Sequence, residues 1–169
     1  MPLAQSIPAA MLYDAILDAG ITDIVAVPDT HQRSLIELIV ERGTPPFIQA
    51  ATEDEAIAIA AGMIIGGRRP LLQIQHAGLY ACVNNLRGLG IDAEFPIPML
   101  IGLLGRDVTR TPRDNHDSMV RYAEPLLDTL EIPHVLLDGP DDVERLGEAC
   151  RQAWERSGPV AILVGAATI

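Results

Sequence analysis

Six short apolar runs punctuate the chain: DIVAVP (23–28), PFIQA (46–50), PLLQIQ (70–75), IPMLIGLL (97–104), HVLLD (134–138) and VAILVG (160–165). Short runs of this kind, apolar throughout instead of alternating, read as strands covered on both faces. A segment long enough for a helix fills every gap between them. Parallel neighbours need such crossovers, whereas antiparallel ones are joined by tight turns. The expectation is an α/β fold of three layers, with a mostly parallel six-stranded sheet and helices on both faces.

The gaps carry helical spacing. Ser6 is placed to cap a first helix with Met11, Leu12, Ala15, Ile16 and Ala19 on one face and Gly20 as its stop. SLIELIVERG (34–43) closes on Gly43. Residues 53–65 are apolar nearly all round, which predicts a helix buried on several sides. LYACVNNLRGLG (79–90) and MVRYAEPLLDTLE (119–131, despite Pro125) follow. A last face of Val143, Leu146, Cys150 and Trp154 is stopped by Gly158. GRDVTRTPRDNHDS (105–118) is a long polar loop, of a length usually kept for function. With no repeat, linker or low-complexity tract, residues 1–169 read as a single domain.

Composition narrows the partners. Apolar residues make up 49% of the chain and the mean hydropathy is +0.23, high for a small soluble domain, so part of that surface is expected against another chain. The net charge is −11 and the pI about 4.6, which disfavours nucleic acid. An anionic ligand would need a local positive or dipolar site. Cys82 and Cys150 lie in helical patterns and read as buried thiols in a reduced compartment. The N-terminus lacks a basic start and carries Asp14 and Asp18. No apolar run reaches the roughly 18 residues of a membrane span. A cytoplasmic protein without membrane contact is the expectation.

Open parallel sheets bind ligands beyond the carboxyl ends of their strands. The first strand delivers Asp29, Thr30 and His31 there, the second Thr52, Glu53, Asp54 and Glu55, the third His76, and the fourth a loop with Arg106, Asp107 and His116. Three of the four histidines therefore share one edge; His134 starts a strand at the other and reads as structural. Solvated loop residues would give the same pattern. There is no nucleophile elbow, no phosphate loop and no metal-ligand spacing. Thr52 and Glu55 form a T-x-x-E capping box, and the helix dipole favours acids on the first turn. By these rules alone none of Glu53, Asp54 and Glu55 stands out.

TEDEAIAIAAGM places Glu53 at a helix start and Gly62 nine residues on. AVPDTHQRSLIELI forms the first strand–loop–helix. QHAGLYACVNNL follows Gln75 with Gly78, Leu79, Asn84 and Leu86 in fixed order. FPIPMLIG and LDTLEIPHVLLDGPDD come later. Together these motifs resemble the pyrimidine-binding domain of thiamine diphosphate-dependent 2-oxoacid decarboxylases, and are most similar to the alpha subunit of sulfopyruvate decarboxylase and the matching half of phosphonopyruvate decarboxylase. The resemblance covers nearly the whole chain. It implies thiamine diphosphate as cofactor, with Glu53 hydrogen-bonded to the pyrimidine ring nitrogen and favouring the imino tautomer that activates the thiazolium. It places Gln75, His76 and Gly78 beside the cofactor, and Thr30, His31 and His116 with Glu53 in the catalytic set.

Two departures carry further implications. The chain has no GDG motif, so the resemblance implies that a separate beta subunit binds the diphosphate and supplies the Mg2+ ligands, giving a hetero-oligomer. Where the family has G-W-R-G, this chain reads Gly102, Leu103, Leu104, Gly105; where it has D-E-P-Q-H, the chain reads Pro112, Arg113, Asp114, Asn115, His116. That implies a more apolar substrate site, in a decarboxylase or carboligase that takes a less charged or aromatic 2-oxoacid or aldehyde. The alternative is a non-catalytic regulatory or assembly subunit of the same fold.

Overall fold

The computed structural model describes residues 5–169. Its helices are α1 (Ala9–Asp18), α2 (Arg33–Arg42), α3 (Glu53–Ile65), α4 (His76–Ala81), α5 (Val83–Asn85), α6 (Ser118–Thr129) and α7 (Glu144–Arg156). Its strands are β1 (Asp23–Ala26), β2 (Phe47–Gln49), β3 (Pro70–Gln75), β4 (Pro98–Gly102), β5 (His134–Leu137) and β6 (Val160–Val164). They form one sheet in the order β2-β1-β3-β4-β6-β5. Every neighbouring pair is parallel, where the sequence predicted a mostly parallel sheet. Each connection crosses over with a helix, which leaves no antiparallel pairing to make.

Successive strand residues point to opposite faces, so each strand feeds two cores. Ile24, Leu71, Leu100 and Ile162 meet Leu12 and Ile16 of α1, Leu35 and Ile39 of α2, and Leu146 and Cys150 of α7. Val25, Leu72, Ile74, Met99 and Leu163 meet Ala56 and Ile57 of α3, Leu79 of α4, and Val120 and Leu127 of α6. Each fully buried leucine or isoleucine contributes roughly 1.5–3 kcal/mol from its burial.

Three local expectations need correction. Ser6 is not the cap of α1: the cap position is Pro8, without a capping side chain. Ile7 is still extended there, bridged in parallel to Thr168, with its N–H donating to Ala167 O at 3.1 Å. The helical segment expected at 79–90 begins earlier, at His76, and runs through α4 and α5 into a π-helical stretch, Leu86–Asp92. Finally, α3 is covered on one side only. Ala56, Ile57, Ala60 and Ala61 are buried, whereas Ala58 and Gly62 are exposed and Ile65 is 77% exposed.

The chain steps from β1 outward to β2 on one side, and from β3 to β4 on the other. The carboxyl ends of β1 and β3 therefore flank the point where the winding reverses, the usual ligand crevice of such sheets.

Candidate active site

Glu53 is the first residue of α3. The cap holds the helix end independently of it: Thr52 Oγ1 accepts from Glu55 N at 3.2 Å, and Glu55 Oε2 accepts from Ala51 N at 2.6 Å. The reach of Glu55 thus lands one residue before the cap. Asp54 and Glu55 are exposed, and Glu53 is half-buried. The Glu53 carboxyl packs against Gly78 of α4, where any Cβ would overlap its Cγ and Oε1. Among the described residues the Glu53 side chain takes part in no hydrogen bond, so its acceptor oxygens stand free at a helix N-terminus. Asn85 Nδ2 donates to Asp54 O at 3.0 Å and ties the two helices together. Beneath them burial, with Asp54 and Glu53 adding to it, pushes the Cys82 thiol up to about 12, so Cys82 stays protonated and inert.

A second cluster sits at the ends of β1, β3 and β4. Asp29 is 2% exposed and accepts from His31 N at 2.9 Å, Gln32 Nε2 at 2.9 Å and Gln75 Nε2 at 3.1 Å. Gly102 leaves room for it, because a Cβ there would overlap Asp29 Oδ2. Gln32 Nε2 also donates to Ile74 O at 3.1 Å, and Gln73 Nε2 donates to Gln32 Oε1 at 3.2 Å.

His31 and His76 flank this cluster, both buried. His31 Nε2 and both ring nitrogens of His76 have no partner. Burial holds each ring below the usual histidine range; Asp29 opposes this at His31, and Asp117 and Asp29 oppose it at His76. Both are therefore neutral imidazoles at pH 7, able to donate through one nitrogen and accept through the other. Arg106 faces His31, but its guanidinium is bonded to Asp138, with Nη2 2.9 Å from Oδ2, in space that Gly165 leaves open.

Three glycines thus admit charged groups at this end of the molecule: Gly78 for Glu53, Gly102 for Asp29 and Gly165 for the Arg106–Asp138 pair. Sequence reasoning brought Asp29 and Arg106 to the edge without a role and passed over Gln32, Gln73, Asp117 and Asp138. A glycine ending or following a buried strand was the available signal.

The remaining predicted residues scatter. Thr30 is exposed at the rim, and His116 is exposed on the polar loop. Among the described residues no side-chain hydrogen bond joins His116 to Glu53, His31 or His76; its main-chain oxygen accepts from Arg121 Nη1 at 3.0 Å. Leu103, read from sequence as lining the substrate, is fully buried in the core beneath α3 and α6; Leu104 is 37% exposed. His134 lies at the amino end of β5, with Nδ1 3.3 Å from Ile132 O, in keeping with a structural role. No cluster of three or more metal-ligating side chains occurs among the described residues. No helix of the described residues is long and apolar enough to cross a membrane. A groove of about 490 Å³ lined by Ala15, Arg69, Gly147 and Trp154 contains none of these residues.

No protein-family model matches the chain. It is 30% identical over 156 residues to the sulfopyruvate decarboxylase alpha subunit of Methanocaldococcus jannaschii, spanning 92% of this chain and 91% of that one. The chain belongs to the sulfopyruvate decarboxylase alpha-subunit family. The alpha subunit from Methanococcus maripaludis is 28% identical over 156 residues, with 92% of each chain aligned. The phosphonopyruvate decarboxylase of Streptomyces viridochromogenes is 28% identical over 146 residues, 86% of this chain but 36% of that protein. The alpha-subunit family is therefore matched along its length, and the longer decarboxylase only in part.

Two solved structures share the fold of this alpha-subunit family member. Benzoylformate decarboxylase from Polynucleobacter necessarius superposes with a TM-score of 0.68 at 16% identity, over 94% of this chain and 30% of that one. A 2-oxoglutarate:ferredoxin oxidoreductase from Magnetococcus marinus superposes at 0.65 and 15% identity, over 92% and 28%.

Proposed function

We propose that this chain is the pyrimidine-binding subunit of a heteromeric thiamine diphosphate-dependent decarboxylase acting on a 2-oxoacid. A separate beta chain then holds the diphosphate and its Mg2+. The observation that carries this reading is Glu53, a partnerless carboxyl at a helix start, seated against a position that only glycine can fill. The chemistry of the donor set fits the pyrimidine end of the cofactor: a free carboxyl for a ring nitrogen and an open amide oxygen at Gln75.

When bound, the cofactor supplies a nucleophilic carbon and an electron sink for the departing carboxylate. Glu53 holds or releases a proton at its carboxyl oxygens, facing the ring nitrogen. Gly78 keeps the carboxyl at fixed depth. His76 and His31 offer neutral N–H donors and acceptors to the reacting end, with Asp29 and Asp117 setting their surroundings. Thr30 and His116 lie further out, at the substrate mouth.

The exposed stripe of α3, with Ala58, Gly62 and Ile65, starts beside Glu53 and is assigned to the beta chain. The substrate side chain is assigned as uncharged. Arg106 is committed to Asp138, Arg33 to Glu37 and Arg110 to Asp107, and Arg121 is turned onto the main-chain oxygens of Asn115 and His116, which disfavours a sulfonate.

Purification of the chain alone and with a co-expressed diphosphate-binding chain tests the reading. The pair is expected to bind thiamine diphosphate and turn over a 2-oxoacid, and the single chain to do neither. Turnover by the single chain would overturn it. A higher kcat/KM for sulfopyruvate than for phenylglyoxylate would overturn the assignment of an uncharged substrate.

A further inference from the structure

Two consecutive arginines precede β3, and their side chains meet different fates. Arg68 is spent on Asp23, with Nη2 2.7 Å from Oδ1 and Nε 2.8 Å from Oδ2. Arg69 is held at its main chain: its N–H donates to Thr22 Oγ1 at 2.8 Å, and its carbonyl accepts from Thr22 N at 2.9 Å. Among the described residues its guanidinium makes no hydrogen bond or ion pair. It lies instead over the ring of Trp154, 5.4 Å from the centroid. Trp154 is the only tryptophan of the chain, and its Nε1 is buried without an acceptor among the described residues.

Arg69 and Trp154 line the groove of about 490 Å³, a volume that suits a small molecule. Ala15, Ala19 and Gly147 line it too. Gly147 lies inside α7, and a Cβ added there would meet nothing within 4 Å. Neither its backbone nor a close neighbour requires a glycine, which is unfavourable in a helix interior. What the missing side chain preserves is room in the groove. The rest of the lining is charged. Asp18 and Glu144 join no ion pair among the described residues, and Glu155 has one exposed contact, 3.7 Å from Arg151.

Small residues and an aromatic ring suit an apolar body. Arg69 suits an anion, but a simple anion would also meet Asp18, Glu144 and Glu155. A simple cation would meet Arg69 and Arg151. A ligand that carries both charges side by side answers both sets. We propose that this groove binds a free α-amino acid with an apolar side chain, its carboxylate on Arg69, its ammonium towards the acidic residues and its side chain over Gly147 and the two alanines. The groove belongs to the layer of α1 and α7, whereas Glu53 opens α3 on the other face of the sheet. The inference therefore stands apart from the cofactor reading. Exposed charge pairs are individually weak, which sets the expected Kd in the millimolar range.

The chain alone suffices for the test, because its single tryptophan reports on the groove. The probes are L-leucine, isocaproate, which lacks the ammonium, and isoamylamine, which lacks the carboxylate. Leucine is expected to change Trp154 fluorescence saturably, and the other two to bind roughly 3–10-fold more weakly. Gly147→Leu fills the groove from a position with open space and should abolish the leucine response while keeping the melting temperature. Arg69→Met keeps an apolar stem against the ring and should bring leucine down to the level of isoamylamine. Saturation transfer from the protein to leucine, followed by NMR, checks binding without relying on fluorescence. Absence of both signals in the parent chain overturns the inference. So does equal binding of the three probes, or a leucine response undiminished in Gly147→Leu.

Discussion

Strand β1 is bracketed by two buried aspartates, and their surroundings differ in kind. Asp23 opens the strand and is 3% exposed; Asp29 follows its other end and is 2% exposed. Asp23 is gripped by Arg68 at 2.7 and 2.8 Å and by Thr22 Oγ1 at 2.6 Å. The Arg68 bond holds its carboxyl below the usual aspartate range against the opposing pull of burial. Asp29 has no cation against it, only neutral donors from His31, Gln32 and Gln75. Around it lie His31 Nε2, Gln73 Oε1, His76 Nδ1, His76 Nε2 and Arg106 Nε, five of the six buried side-chain atoms without partners among the described residues. One end of the sheet is closed electrostatically. The other keeps hydrogen-bonding capacity in reserve, which is costly for a folded chain alone and useful to a site that is completed by a ligand.

The largest contrast should come from Glu53. In the assembled complex Glu53→Gln is expected to lower turnover by roughly 10²–10⁴. Its melting temperature should stay close to the parent's, because Thr52 and Glu55 cap the helix without it. Glu55→Gln keeps the capping box and should lose little activity. Equal damage in the two variants, measured as kcat, would break the assignment.

Gly78→Ala comes next. The new Cβ overlaps the Glu53 carboxyl and displaces it, and a misplacement of about an ångström costs up to about 10² in rate. A kcat within twofold of the parent would show that the cradle does not position Glu53. Gly102→Ala strikes Asp29 instead and is expected to cost about 1–3 kcal/mol by overpacking, read as a lower denaturant midpoint.

Titration separates the two ends. His31 and His76 have folded pKa values below the ordinary 6.5, so the unfolded chain takes up protons more readily. Their contribution is full above about pH 6.5 and is lost as the pH falls below it. His76→Asn should flatten that slope in a series of melting temperatures from pH 7 to 5. Asp23 has a folded pKa below the ordinary 3.8, so its stabilisation is present above that value and disappears only as the pH falls through the lower folded one. Asp23→Asn should therefore leave the slope between pH 7 and 5 untouched and remove an acid-induced loss below about 4. A flattened slope between pH 7 and 5 in Asp23→Asn would reverse the assignment.

The smallest effect expected is a gain. Gly62 lies mid-helix on the exposed side of α3, with nothing near an added Cβ. Gly62→Ala should stabilise the isolated chain by about 0.5–1 kcal/mol. Gly62→Arg should leave the isolated chain folded but weaken its association with the beta chain, checked by sedimentation of the mixture.

Much of this was legible because it depends on neighbours in the chain. Six apolar runs and five helical gaps dictate crossovers, and crossovers dictate parallel pairing. The spacing of Thr52 and Glu55 dictates where α3 begins, and so where Glu53 stands. What stayed hidden depends on residues distant in sequence. Ser6 has the chemistry of a cap, but a bridge between Ile7 and Thr168 keeps the chain extended past it. Leu103 has the chemistry of a pocket wall, but the end of β4 turns it into the core. The apolar character of α3 predicts that it is covered and says nothing about which cover is in this chain.

By itself the sequence determined the layer order of short strands and helices, the edge to which Asp29, Glu53 and His76 are delivered, and the capped start of α3, because hydrophobic period and capping act over a few residues. Only the tertiary structure decided which of those polar groups meet. Gly78 faces Glu53, Gly102 faces Asp29, and Gln75 turns its NH2 inward because strands far apart in the chain end side by side, leaving each donor only the acceptors that the sheet places within reach.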